Sequence, residues 1–162
     1  KDDQTIKNLE YSVAYSFIDS KRDYKNYKKE VTPGFVATNS VSVVTKYWID
    51  SLKSQLGLTY SFSSGRPYND PNSIDFMAEK TKAYHDLSLG WAYLLTTQKI
   101  LYFGASNLLG TNAIYGYQYA DNKNTDNVFP RQAITPAAKR FFFVGFFWTI
   151  SANKKHNQLK NL

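Results

Sequence analysis

From Asn8 to Ile18 apolar and polar residues alternate without a break, with Leu9, Tyr11, Val13, Tyr15 and Phe17 set against Asn8, Glu10, Ser12, Ala14 and Ser16. Side chains of an extended strand point to opposite sides with period two, so this stretch predicts a strand with one apolar and one polar face. The dyad returns at 55–64, where Leu56, Leu58, Tyr60 and Phe62 oppose Gly57, Thr59, Ser61 and Ser63. It returns again at 86–96, with Leu87, Leu89, Trp91, Tyr93 and Leu95 against Ser88, Gly90 and Ala92. Val41, Val43, Tyr47 and Ile49 mark a less regular strand, and Phe142, Val144, Phe146, Trp148 and Ile150 a last one whose other face is aromatic too. About six strands are predicted, near residues 8–19, 36–48, 54–64, 85–96, 100–119 and 140–151, followed by a polar tail over 152–162.

The connections between them alternate long, short, long, short, long. Charges and turn formers fill 20–33, 66–84 and 120–132, whereas Ile49 to Lys53 and Thr96 to Lys99 are tight. Strands this long, bulky on one face and small on the other, suit a wall between hydrocarbon and water, and bacterial outer-membrane barrels alternate tight periplasmic turns with long external loops. The expected fold is all-β, an antiparallel transmembrane β-barrel wall over residues 1–151 in the outer membrane, with both termini on the periplasmic side. Closed membrane barrels begin at about eight strands, and six alone would leave two unpaired edges in lipid. The chain is therefore expected to be part of a larger barrel, its other strands supplied by the same gene or by a separate chain.

Aromatic residues make up 17% of the 162 positions, with 13 Tyr and 11 Phe, so many rings are expected on an outer surface rather than in one compact core. No segment reaches the roughly 18 to 20 consecutive apolar residues of a membrane helix. Cysteine is absent, which removes disulfides and thiolate metal sites. No signal-type segment opens the chain, as expected of a processed or partial form. The net charge of +7 gathers partly in Lys21, Arg22, Lys25, Lys28 and Lys29 and in Lys154, Lys155 and Lys160. For membrane strands, anionic lipid headgroups are the expected partner of the first cluster, rather than nucleic acid.

Several segments carry a family resemblance. Asn8 to Phe17 with Asp19, Lys21, Arg22, Asp23 and Tyr24 is similar to a late barrel strand and its loop, and Ser63-Ser64-Gly65-Arg66-Pro67-Tyr68 to a strand-to-loop signature. Ser106 to Gly110 with Tyr115-Gly116-Tyr117, then Ile134-Thr135-Pro136 leading to Arg140 to Gly145, resemble the approach to the last two strands. In this order they resemble the C-terminal β-barrel portion of a TonB-dependent receptor, an outer-membrane active transporter family. The resemblance implies a barrel of about 22 strands, a plug domain, energy from TonB, insertion by the barrel assembly machinery, and uptake of a metal chelate, oligosaccharide or peptide. Neither the plug nor the TonB-contacting segment is in this sequence.

The resemblance also makes Arg66, Tyr68 and Asn69 candidates for contact with ligand, since external loops carry recognition. Tyr11, Tyr47, Trp48, Trp91, Tyr93 and Trp148 are candidates for aromatic girdles at headgroup level. Phe141, Phe143 and Phe147 are expected to pack inward against other protein. His85 and His156 are the only histidines and have no ligand-spaced partner, so no metal, cofactor or enzymatic activity is expected, although Asp86 adjoins His85. Two alternatives stand beside this expectation: a non-transporting barrel subunit of a surface assembly, and a soluble β-sandwich carbohydrate-binding module.

Overall fold

A computed structural model describes residues 8–150 except Asn26 and Lys28. Its strands are β1 (Leu9–Phe17), β2 (Asn39–Ile49), β3 (Ser54–Ser63), β4 (Pro67–Tyr68), β5 (Glu79–Lys80), β6 (Tyr84–Thr96), β7 (Lys99–Ser106), β8 (Gly116–Tyr119), β9 (Arg131–Ile134) and β10 (Phe141–Trp148). Six of them form one antiparallel sheet in the order β1-β2-β3-β6-β7-β10. The pairs β4–β5 and β8–β9 are separate two-stranded ladders inside the long connections.

Directly opposed residues of an antiparallel pair share a face, so the register carries the apolar set from edge to edge. One row runs Tyr11, Thr45, Leu58, Leu89, Ala105, Phe142, and the row nearer the tight turns runs Leu9, Tyr47, Leu56, Trp91, Phe103, Val144. Polar groups on this face are held locally. Thr45 Oγ1 donates to the Leu58 carbonyl at 3.4 Å, Ser54 Oγ to the Leu52 carbonyl at 2.9 Å, and Tyr15 Oη to Asn39 Oδ1 at 2.7 Å. Lys99, at the turn end, sets its Nζ 4.9 Å from the centre of the Trp148 ring.

The opposite face carries mostly small and polar residues on β1 to β3 and the first half of β6, with Glu10, Lys46 and Asp86 among them. Gly57, Gly90 and Gly104 lie in one register row across β3, β6 and β7. Tyr102 covers two of them: a Cβ on Gly90 would stand 2.8 Å from its hydroxyl, and one on Gly104 3.1 Å from its ring. A shallow hollow of about 260 Å³ opens over this row, bordered by Lys46, Gln55, Thr59 and Ser88. Toward the turns the same face holds the cluster Ala92, Leu94 and Ile100, against which Trp48 and Tyr102 pack.

Neither face is covered by a second layer among the described residues. Substantial contacts run only between hydrogen-bonded neighbours, and the buried apolar residues are Val36, Ala92, Leu94, Ile100, Ala105 and Ala113. Tyr11 is 70% exposed at the edge, and even the central Leu58 and Trp91 are 37% exposed. A sandwich requires a facing sheet about 10 Å away, and the described residues provide none. The sheet is open, with β1 and β10 as its edges.

Several boundaries differ from the sequence expectation, the first strand closing at Phe17 rather than near 19. The fifth strand does not run over 100–119: it stops at Ser106, because Asn107 adopts a left-handed φ of 50° and Gly110 one of 64°, and Tyr117 and Tyr119 belong to the separate hairpin. The second strand begins at Asn39 rather than 36, since Val36 is buried in a turn, its amide donating to the Pro33 carbonyl at 3.0 Å. The first tight connection contains a 3-10 turn, Asp50–Leu52, closed by Lys53 at φ 45°. The last strand ends at Trp148, and the polar tail over 152–162 lies outside the described residues.

Candidate functional site

The antiparallel order puts the connections β1–β2, β3–β6 and β7–β10 at one end of the sheet, and they touch one another there. In the first, Arg22 and Val31 exchange backbone hydrogen bonds of 2.9 and 3.1 Å. Tyr24 and Tyr27 lean onto Phe76 of the second, with ring centres 5.3 and 3.7 Å apart. The second and third are joined reciprocally: Asn72 Nδ2 donates to the Phe129 carbonyl at 3.1 Å, and the Phe129 amide donates to Asn72 Oδ1 at 2.8 Å.

The departure of the chain from β3 is fixed by Gly65. A Cβ there would collide with the Thr81 carbonyl, so only glycine lets the two segments cross. Immediately after it, the Arg66 amide donates to Thr81 Oγ1 and the Thr81 amide to the Arg66 carbonyl, both at 2.9 Å. Arg66 therefore leaves a braced backbone. Its neighbour Tyr68 enters a different group: Arg131 Nη1 donates to Tyr68 Oη at 3.2 Å, lies 3.6 Å from Asp70 Oδ2, and its guanidinium sits 4.7 Å from the centre of the Tyr117 ring. The Tyr68 and Tyr117 rings pack tilted at 4.7 Å.

Tyr119 stands opposite Arg131 in the hairpin register. Its hydroxyl is enclosed without a hydrogen bond of normal geometry, although Arg131 and Asp70 adjoin it. Burial first, and the Asp70 carboxylate next, push that phenol up to about 12, against the opposing pull of Arg131. Burial likewise raises Tyr68, with Arg131 working the other way. Both phenols stay protonated at neutral pH, and that of Tyr68 accepts from Arg131.

A third fastening holds the exit from β7. Asn107 is buried, donates from Nδ2 to the carbonyls of Thr111 (2.8 Å) and Lys139 (2.7 Å), and accepts the Thr111 amide at 3.1 Å. The Thr111 hydroxyl in turn donates to the His85 carbonyl.

The candidate residues thus separate. Arg66 and Tyr68 sit on the braced second connection, with Asn69 exposed beside them. Tyr47, Trp91, Tyr93 and Trp148 share the apolar face on the half toward the tight turns, whereas Tyr11 lies on that face in the central row of Leu58 and Leu89 and so departs from a girdle position. Trp48 departs from that group: the register puts it on the other face, where it packs on the Ala92 cluster and donates from Nε1 to Asp50 Oδ1 at 2.8 Å. Lys21, Arg22, Lys25 and Lys29 are exposed in the first connection, and Lys28 lies outside the described residues. Phe141, Phe143 and Phe147 lie exposed on the face of Tyr102. His85 and Asp86 point to opposite faces: His85 Nδ1 meets Tyr60 Oη at 2.8 Å, while Asp86 accepts Tyr84 Oη and Ser88 Oγ at 3.1 and 2.6 Å. They cannot act on one substrate together. His156 lies outside the described residues, among which no three His, Cys, Asp or Glu side chains gather.

Sequence inspection missed Asp70, Tyr117, Tyr119 and Arg131 as a group. The available signal was the alternation Tyr115, Tyr117, Tyr119 followed by a turn-rich stretch and a short second run, the pattern of a hairpin. No protein-family model, curated protein or solved structure gives a significant match to this chain.

Proposed function

We propose that this chain is a segment of outer-membrane β-barrel wall in an active nutrient receptor of the TonB-dependent type, contributing strands to the barrel and loops to the external mouth. The observation that supports it is the apolar face: it continues in register across all six strands with nothing of the same molecule laid over it among the described residues. A face of this extent in water is an aggregation surface, whereas against acyl chains it needs no cover. The half toward the turns carries Tyr47, Trp91, Tyr93 and Trp148, and the half toward the long connections Tyr15 and Phe62, with Val13, Val43, Leu58 and Leu89, and the rings of Tyr11 and Tyr60, between. Amphipathic rings above and below an aliphatic belt suit the two interfaces of a bilayer.

The open edges supply the second half of the argument. Each unpaired backbone group in hydrocarbon costs several kcal/mol, so β1 and β10 require neighbours, the remaining strands of the barrel. Phe141, Phe143 and Phe147 on the inner side of β10 then pack on a plug domain, through which TonB acts. The exposed Lys21, Arg22, Lys25 and Lys29 sit at the outer rim, within reach of lipid headgroups. The joined second and third connections face the ligand, a metal chelate, oligosaccharide or peptide.

Vesicles containing brominated lipid test the placement. Bromine on acyl chains should quench the fluorescence of Trp91 and Trp148 but leave Trp48 largely unquenched, measured in variants retaining one tryptophan each. A chain that stays monodisperse without detergent, with all three tryptophans unquenched, would sink the proposal.

A further inference from the structure

The hollow beside Arg66 has a lining that differs from every other part of the loop end. Ser63 at the end of β3 and Tyr84 at the start of β6 form its floor, on the small-residue face, and Thr81, Lys82 and Tyr115 its sides. Arg66 lines it, carried on the braced backbone described above. The space is about 50 Å³, room for a small group such as a carboxylate or phosphate.

Two cations border this space and no acid does. Among the described residues neither the Arg66 guanidinium nor the Lys82 ammonium has an ion-pair or hydrogen-bond partner. The nearest carboxylate on that face, Asp86, is engaged by Tyr84 and Ser88. Arg66 is half-buried, and a guanidinium carries five N–H donors in a fixed fork that matches a carboxylate or phosphate. With no protein acceptor on that fork and with Lys82 exposed beside it, both cations are open to an arriving anion. The contrast with Arg131, which is half exposed and already engaged by Asp70, Tyr68 and Tyr117, separates an arginine that fastens loops from one left open.

We infer that Arg66 and Lys82 form a binding subsite for an anionic oxygen group, carboxylate or phosphate, on the ligand that enters at the long-loop end. The subsite is preorganised, because Gly65 and the reciprocal Arg66–Thr81 hydrogen bonds fix the backbone before any ligand binds. This inference rests on the loop end being the ligand side of the proposed receptor and narrows the ligand to one bearing such a group.

The test is an NMR titration of the detergent-solubilised protein with sodium phosphate and, separately, sodium acetate, against sodium chloride at matched ionic strength. The Arg66 Nε–Hε resonance should shift saturably with at least one oxyanion and not with chloride. Phosphate alone identifies a phosphate-bearing ligand, acetate alone a carboxylate, and both the shared chemistry. Lys82→Gln should weaken the response at least threefold and Arg66→Gln the companion Lys82 response at least tenfold, while Arg131→Gln leaves both unchanged. No saturable shift, or an equal shift with chloride, overturns the subsite even if Arg66→Gln fails to fold. Lipid quenching of Trp91 reports separately on the membrane placement, so either conclusion can fail alone.

Discussion

Replacing Leu58 by arginine puts the membrane placement to a quantitative test. Leu58 is the fifth residue of the ten in β3. Ten residues at about 3.3 Å span about 33 Å of strand, and a tilt of about 40° reduces that to about 25 Å along the bilayer normal, the height of a barrel's apolar band. In the proposed membrane wall Leu58 therefore falls near the bilayer midplane. Its cross-strand neighbours Thr45 and Leu89 offer an arriving guanidinium no carboxylate. Arginine on the lipid face at this depth costs about 2 to 4 kcal/mol. Thr59, the next residue, turns to the opposite face between Val44 and Ser88, where Thr59→Arg enters water and costs about 0.5 kcal/mol. Guanidinium titration of the protein folded in phosphatidylcholine vesicles, followed by tryptophan emission, gives both values. If the face were bathed in water, Leu58→Arg would fall in the same small range as Thr59→Arg. Equal losses would refute the orientation and the lipid environment together.

Asn107→Ala removes two donors and one acceptor from a buried junction, leaving the Thr111 and Lys139 carbonyls without their amide partner. The expected loss is about 2 to 4 kcal/mol in the same titration. Gly65→Ala drives a methyl into the Thr81 carbonyl, so the amides of Arg66 and Thr81 should exchange with deuterium at least tenfold faster while the central amides of β3 and β6 keep their protection. Arg131→Gln should leave the stability of the sheet within about 0.5 kcal/mol, since the ion pair is half exposed, yet speed proteolytic cutting within 121–127 several-fold by releasing the hairpin. Tyr119, whose phenol is raised in the folded protein, adds stability that is complete below its ordinary value near 10 and is lost as pH climbs from there towards about 12. In an ultraviolet titration of phenolate, Tyr119→Phe should delete a late-ionising phenol rather than an ordinary one.

The sheet was legible because each of its strands repeats an apolar residue at every second position, and because the tight connections at Asp50 and Thr97 interrupt that period cleanly. The same signal misled beyond Ser106. Tyr115, Tyr117 and Tyr119 keep the alternation going, whereas the break depends on one backbone torsion at Asn107 and on hydrogen bonds to Lys139, 32 positions away. Nothing periodic announces either. Trp48 was misassigned to the outer rings because residue type outweighed parity: it follows Tyr47 by one and so must face the other way. The groups at the loop end were illegible for a further reason. Asn72 meets Phe129 and Tyr68 meets Arg131 across 57 and 63 residues, and pairings between connections follow from where the strands deliver them. Arg66 could be singled out from its motif, but its lack of a partner appears only in three dimensions.

The row of Gly57, Gly90 and Gly104 has a mechanical meaning. Three adjacent strands carry no side chain at the same height on one side, and the Tyr102 ring covers only two of the three positions, so little resists curling toward that side, as glycine kinks permit in other curved sheets. The circumference of a closed cylinder is set by how sharply its staves bend on one another. Alanine at all three sites would flatten this strip and, in the proposed barrel, widen the arc over which its staves close.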